Sequence, residues 1–248
     1  MKKLVSSILV TGLLLVGCSG NKTTTNPDLA SSPSQVAASE AETTATSSSQ
    51  ADTSSEAEPA TAPTPKLMLG ELKAEEIALT TDHKGQADSA FQFKGDKGIT
   101  VPFNLNPEAM PQCTLVTWAR YTGEDKGVQQ VVSHDDGGYD RSLGLDDRGG
   151  EWGWSCFTGS QGVLGGFPVT PGEWTFLAVS YDQPGKKTTL YVNGEKKEAV
   201  EAELGAGQEQ VSLGTNPSYG EYFQGDVEPV MVFDRVLTEE EIQALQKQ

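Results

Sequence analysis

Over the last two thirds of the chain, β-branched and aromatic residues gather in short runs separated by Gly, Pro, Asn and Asp. Such runs stand at 91–93, 98–102, 114–121, 128–133, 152–157, 174–182, 188–192, 210–214 and 227–233. Short runs of β-formers between turn residues predict strands and hairpins, and a succession of them predicts an all-β, two-sheet antiparallel sandwich. In Trp174-Thr-Phe-Leu-Ala-Val-Ser-Tyr181 both alternating faces are largely apolar, which describes a strand covered on both sides and placed centrally in its sheet. Asn193-Gly194 follows Leu190-Tyr-Val192, and that pair suits a type I′ hairpin because both central residues take positive φ.

One helix signal stands out, at the C-terminal end. Thr238 is placed to cap, Glu241 to return the capping-box bond, and Leu237 to staple onto Ile242. Glu239 and Glu240 suit the positive end of the dipole. The helix is expected to lay Ile242 and Leu245 on the sandwich edge.

The first third of the chain has a different pattern. All 18 aromatic residues lie at or after Phe91, so no ordinary core forms before it. Lys2 and Lys3 precede an apolar run of 13 residues at 4–16, shorter than the about 20 that span a bilayer, which reads as a signal peptide. Its end, Leu15-Val16-Gly17-Cys18, resembles the lipobox of bacterial lipoproteins. That resemblance implies cleavage before Cys18 and lipidation of it, and Ser19 in the following position favours the outer membrane if the cell has one. The competing reading is an ordinary signal peptide that happens to hold a Cys. Acyl chains give about 0.8 kcal/mol per buried methylene, so several of them anchor stably. Residues 19–65 hold 19 Ser or Thr and 5 Pro, with Leu29 and Val36 alone as aliphatics larger than Ala. Such a tract cannot offset the entropy of ordering and predicts a disordered linker with a reach of about 35 to 40 Å. The expected organisation is signal peptide 1–18, linker 19–66 and one globular domain 67–248.

Charge narrows the partners. The chain carries a formal −17, and residues 67–248 carry 14 basic and 29 acidic side chains, a net −15. A nucleic-acid phosphate backbone needs a basic footprint, so nucleic acid is disfavoured. Anionic polysaccharides are disfavoured for the same reason unless cations bridge them, while neutral glycans and basic proteins fit better.

Five stretches, in order, resemble the laminin G-like jelly roll of the concanavalin A-like superfamily. They are Thr81-Asp82-His-Lys-Gly85-Gln-Ala-Asp-Ser89-Ala90-Phe-Gln-Phe93-Lys-Gly95; Leu115-Val-Thr-Trp118; Gly172-Glu-Trp174 through Tyr181-Asp182; Leu190-Tyr-Val-Asn-Gly194; and Phe223-Gln-Gly225-Asp through Asp234-Arg235-Val-Leu237 to Glu241-Ile242. The resemblance implies two antiparallel sheets of six or seven strands, with Trp118 and Trp174 at core positions. It also implies binding of carbohydrates, glycosaminoglycans or proteins without catalysis, often with a structural calcium. Lys94 and the Glu228-Pro229 pair replace carboxylates of the family's metal segments, which leaves Asp96 and Glu228 as the metal candidates.

Other constellations bear on chemistry. With Cys18 lipidated, Cys113 and Cys156 remain, either as a disulfide or as two buried thiols. Ser133-His-Asp-Asp-Gly-Gly-Tyr-Asp-Arg141 and Leu145-Asp-Asp-Arg-Gly-Gly150 concentrate five Asp, one His and four Gly. Solvated hairpin tips are the expectation there, with a metal or sugar site as the alternative. Trp152 and Trp154 stand two apart and share one strand face, either as core or as a sugar-stacking platform. Tyr139, Tyr219 and Tyr222 are turn-side aromatics suited to the rim of a binding surface, Tyr139 and Tyr222 foremost. Gln224-Gly-Asp-Val-Glu228 copies the carboxylate spacing of glycosidase strands but places an amide where the nucleophile belongs.

The sequence therefore predicts a membrane-anchored lipoprotein of the cell envelope that presents a non-catalytic module for glycan or envelope polymer. A protein-binding or structural module is the alternative, and a glycoside hydrolase of the same superfamily a more remote one. No cofactor is expected beyond the candidate calcium.

Overall fold

The computed structural model describes residues 61–70 and 77–248. The signal peptide, Cys18 and the linker up to residue 60 lie outside the described residues. In chain order the strands are β1 (Leu67–Leu69), β2 (Ala78–Thr80), β3 (Ala90–Lys94), β4 (Ile99–Val101), β5 (Gln112–Tyr121) and β6 (Gln129–Ser133). They continue with β7 (Ser142–Asp146), β8 (Gly153–Phe157), β9 (Val163–Phe167), β10 (Trp174–Asp182), β11 (Lys187–Val192) and β12 (Glu195–Val200). Last come β13 (Val211–Leu213), β14 (Thr215–Asn216), β15 (Glu221–Tyr222), β16 (Gln224–Val227), β17 (Val230–Phe233) and one helix, α1 (Glu239–Gln246).

Two sheets stack face to face. The first runs β12-β11-β10-β5-β16-β3-β2, with β17 continuing along β5 and β1 beyond it. The second runs β14-β15-β6-β7-β8-β9, with β13 beside β6 and β4 outside β13. Pairing is antiparallel except for the single bridge Tyr222↔Gln130. Nine and eight strands among the described residues exceed the six or seven expected per sheet. Part of the excess is one predicted run cut in two. Pro229 has no N–H to give the ladder, so 227–233 breaks into β16 and β17.

The core between the sheets holds Leu115, Leu177 and Val179 from one side and Leu143, Leu145 and Trp154 from the other. β10 lies between β5 and β11 as expected. Its Leu177, Val179 and Tyr181 join that core, while Phe176 and Ala178 face the opposite way. Those outward residues need a cover, and α1 supplies it. Ile242 and Leu245 pack with Leu237, Val116, Phe176, Tyr191 and Phe233 on the outer face of the first sheet, not on an edge. Thr238 Oγ1 accepts from the Glu241 N–H at 3.3 Å and the Glu241 carboxylate accepts from the Thr238 N–H at 2.9 Å, completing the capping box. Trp118 belongs to this outer cluster and Trp174 lies under the Arg120 guanidinium, so neither is in the inter-sheet core. Ala62 also packs there and the Lys66 N–H bonds Val232 O, so the last residues assigned to the linker are seated on the fold.

Cys113 and Cys156 are free thiols, both fully buried. Cys113 sits on β5 of the first sheet and Cys156 on β8 of the second. Face-to-face sheets stand about 10 Å apart, beyond the about 7 Å between Cα atoms that a disulfide tolerates. Burial pushes the Cys113 thiol up to about 11 and the Cys156 thiol further.

Candidate functional site

The outer face of the second sheet is polar and yet buried. Leu143, Leu145, Trp154 and Cys156 face the core, so alternation turns Gly144, Asp146, Ser155 and Phe157 outward. Gln130 joins them through its pairing with Gly144, and Asn216 with Glu221 extends the row across β14 and β15. Gly144 is required by close approach, because a Cβ there would stand 2.1 Å from Gln129 O and 2.8 Å from the Gln130 side-chain oxygen. Gln130, Asp146, Ser155 and Asn216 are each under 3% exposed.

These side chains hold one another in a chain of bonds. Arg148 donates from Nε to both Asp146 oxygens at 3.0 Å and from Nη2 to Asp146 Oδ2 at 2.6 Å. Its Nη2 also reaches Glu221 Oε1 at 3.2 Å. Glu221 Oε2 accepts from Asn216 Nδ2 at 3.2 Å and from Gln130 Nε2 at 3.4 Å, and Asn216 Nδ2 donates as well to Asp135 Oδ2 at 3.0 Å. The Asp146 hydrogen bonds hold the Arg148 guanidinium firmly in its charged form. Burial pushes the Glu221 carboxyl up, against the pull of Arg148. The Gln130 Oε1 and Asn216 Oδ1 atoms are buried without a partner among the described residues.

Above this network lies a pocket of about 140 Å³, lined by Asp135, Gly137, Tyr139, Arg148, Phe157 and Tyr219. The Arg148 guanidinium lies 5.5 Å from the Tyr139 ring and 5.2 Å from the Phe157 ring, and Tyr139 meets Phe157 edge-on. Its Nη1 makes no hydrogen bond among the described residues. Tyr139 holds a positive φ of 55° and is 38% exposed, while Tyr219 is 55% exposed with its hydroxyl donating to Asp136 O at 3.4 Å. The pocket thus combines a fixed cation, a buried carboxylate and two open aromatic rings.

The solvated tips expected from composition are present at 136–139 and 147–150, which are exposed, but the residues flanking the first of them are not solvated. His134, Asp135, Asp140 and Arg141 are all under 5% exposed. Arg141 acts as an internal strut, donating to Leu105 O at 2.6 Å and to Pro111 O at 3.4 Å and lying over the Tyr181 ring. Burial, then Arg141, lowers His134 to about 4, and burial raises Asp140 to about 6.

Of the two readings of the tryptophan pair, the core holds and the sugar-stacking platform does not form. Trp152 and Trp154 share the inward side, where Trp154 is fully buried against Phe223. Trp152 precedes β8, packs on Tyr121 and donates to Gly127 O at 3.0 Å. It lines a separate cleft of about 680 Å³ with Glu124, Lys126, Pro168 and Pro171. Tyr139 does reach the pocket. Tyr222 does not, because Glu221 beside it faces the polar network and alternation turns Tyr222 away. Tyr219 takes that place. Asp146 and Arg148 lie in the 145–150 stretch for which a metal or sugar site was the alternative, while Asn216 and Glu221 were not singled out from sequence; the alternation Ser-Leu-Gly-Leu-Asp at 142–146 is the signal that could have placed Asp146 on an outward face.

The calcium candidates do not meet. Register pairs Lys94 with Gln224 and Phe91 with Val227, so Asp96 lies past one end of that ladder and Glu228 past the other. The six residue steps from 90 to 96 span roughly 20 Å of extended chain. Glu228 Oε1 already accepts from the His83 N–H at 2.8 Å and pairs with His83 Nδ1 at 2.6 Å, and the His83 ring stacks on Trp118. No three His, Cys, Asp or Glu side chains among the described residues are grouped to hold a metal. A hard cation wants six to eight oxygens, so Asp96 and Glu228 do not fit calcium.

Comparisons with known proteins agree on the fold. A laminin G family model described as concanavalin A-like lectin/glucanases superfamily matches residues 93–243. Domain 4 of an extracellular arabinanase from Geobacillus stearothermophilus, solved in complex with arabinotriose, superposes with a TM-score of 0.51 at 22% identity, covering 68% of this chain and 80% of that one. The binding domain of botulinum neurotoxin serotype D superposes with a TM-score of 0.51 at 14% identity, over 70% of this chain and 45% of that domain. No curated protein matches the sequence.

Proposed function

Because the chain belongs to the concanavalin A-like lectin/glucanases superfamily, we propose that it is a non-catalytic glycan-binding module held at the cell envelope by a lipid on Cys18. The Ser/Thr/Pro-rich segment before the domain would lift it from the membrane. The observation that carries the reading is Arg148, locked by Asp146 and Glu221 through Nε and Nη2, with Nη1 left over in a pocket walled by Tyr139, Phe157 and Tyr219. Sugars bring both hydroxyls and apolar ring faces, and sites for them pair a few oriented polar groups with aromatic walls. A preset guanidinium loses little entropy when it binds. The arabinanase domain of the same fold was solved with arabinotriose, in keeping with this chemistry.

The carboxylates support a binding role rather than hydrolysis. Asp226 is held by Arg120 at 2.8 Å, Glu228 by His83, and Asp146 by Arg148. Each positions a neighbour, so none of these three is left over as the acid or nucleophile that a glycosidase requires. The test is a glycan array probed with the full chain and with Arg148→Gln. Signal lost in the variant while its melting temperature still shows a cooperative fold supports the proposal. An unchanged pattern, or silence from the parent chain, overturns it.

A further inference from the structure

We infer that the pocket reads a pair of neighbouring hydroxyls on a single neutral sugar ring, and rejects the acidic counterpart of that sugar. The inference rests on the glycan-binding reading and narrows its ligand class. Asp146 and Glu221 hold the one guanidinium and Asp135 lines the same pocket, so the immediate site carries a formal −2 despite its arginine. A lone arginine would invite a carboxylate ligand. This one has its Nε and Nη2 spent on Asp146 and Glu221, and only Nη1 remains to donate.

Asp135 supplies the opposite half. It lines the pocket at 4% exposure, with Oδ1 accepting from the Asp140 N–H at 3.0 Å and Oδ2 from Asn216. A carboxylate oxygen can accept more than one bond, so Asp135 still has acceptor capacity. One fixed donor beside one fixed acceptor suits hydroxyls, which donate and accept at once. A uronide keeps its ring hydroxyls, but its carboxylate is an acceptor only, finds no partner in Asp135 and brings a further negative charge into a site that is already negative. Tyr139 and Tyr219 stand at the sides to meet the ring's C–H face. The pocket's about 140 Å³ is well below the about 300–1,000 Å³ of sites that bury drug-sized ligands, so it holds one ring and leaves any further rings of a chain outside.

The test is a titration of the full chain with the methyl glycosides of arabinose, galactose, glucose and mannose, with the methyl uronides of the last three, and with short neutral oligosaccharides. The expected result is binding of at least one neutral glycoside, with its uronide at least about tenfold weaker and the gap narrowing as salt rises. Lengthening the best neutral ligand from one ring to three should change affinity less than about threefold. Asp135→Asn should abolish the discrimination against the uronide. If that variant does not fold, Tyr219→Ala at the exposed rim should weaken the neutral glycoside about tenfold. A uronide that binds as well as its neutral parent overturns the inference and leaves the glycan reading standing. Neutral binding that ignores both substitutions places the ligand elsewhere and overturns it too. Absence of binding by any glycan defeats the glycan reading itself, and this inference with it.

Discussion

Replacing Asp146 by Asn tests whether the Arg148 clamp is built as described. The carboxylate accepts the Arg148 backbone N–H at 2.7 Å, Nε at 3.0 Å and Nη2 at 2.6 Å, and is itself 1% exposed. Asn keeps the shape but removes the charge and turns an NH₂ group toward one of the donors. A hydrogen bond to a charged group contributes about 1.5–3 kcal/mol, and breaking a wholly buried pair costs about 3–5 kcal/mol. The Arg148 side chain is 37% exposed, so water recovers part of that loss and about 2 kcal/mol is the expected cost. For a domain of this size about 1 kcal/mol moves the melting point by about 2–4 °C, so calorimetry should show a drop of about 4–8 °C. In a double-mutant cycle with Arg148→Gln the coupling should be about 1 kcal/mol or more, shrinking in high salt. A melting point within about 1 °C of the parent, or a coupling near zero, would refute the clamp as the organiser of the pocket.

Further outcomes follow from the same structure. Trp154→Ala should cost about 3–5 kcal/mol in a denaturant melt, and Trp152→Ala about 1 kcal/mol; equal losses would contradict the placement of the pair. With both thiols buried and unpaired, dithiothreitol should leave the domain's melting temperature unchanged, and thiol reagents should label Cys113 and Cys156 only after unfolding. A reductant-induced drop would contradict this. His134 is lowered from 6.5 to about 4, so its contribution is complete above about pH 6.5 and is lost as pH falls through 4. Asp140 is raised from 3.8 to about 6, so its contribution is present below about pH 3.8 and is lost as pH rises through 6. The two oppose each other between about pH 4 and 6, and Asp140→Asn should therefore steepen the gain in melting temperature from pH 4.5 to 7. An unaltered slope would refute the assignment.

Much of the fold was legible because strand signals here are local. The doubly apolar run at 174–182, the Asn193-Gly194 turn and the Thr238–Glu241 box each state their geometry within a few residues, and the structure shows all three in place. The helix was displaced from edge to face because the need to cover Phe176 and Ala178 depends on which strands flank β10, a long-range fact. β7 was passed over for its surroundings, where Asp and Gly composition suggests exposed turns. Whether an Asp in such a loop meets solvent or a buried amide depends on its neighbours. Asp135 is covered because Asn216, distant in sequence, donates to it. The pocket was hidden for the same reason. Tyr139 was visible as a turn aromatic, but Arg148 becomes informative only once Glu221 arrives from β15. The Trp152 and Trp154 spacing fixed that they share a face and left open which one, and the core claimed it.

The central claim is that the pocket over Arg148 is where a sugar binds, and ligand-induced NMR shifts of the full chain titrated with the best neutral glycoside test it most directly. A sugar seated there gives the largest, saturable shifts at Tyr139, Arg148 and Tyr219 and leaves the Trp152 indole unmoved. Saturable binding whose shifts centre on Trp152 and Tyr121, or on the outer face of the first sheet around Trp118 and Trp174, would contradict it.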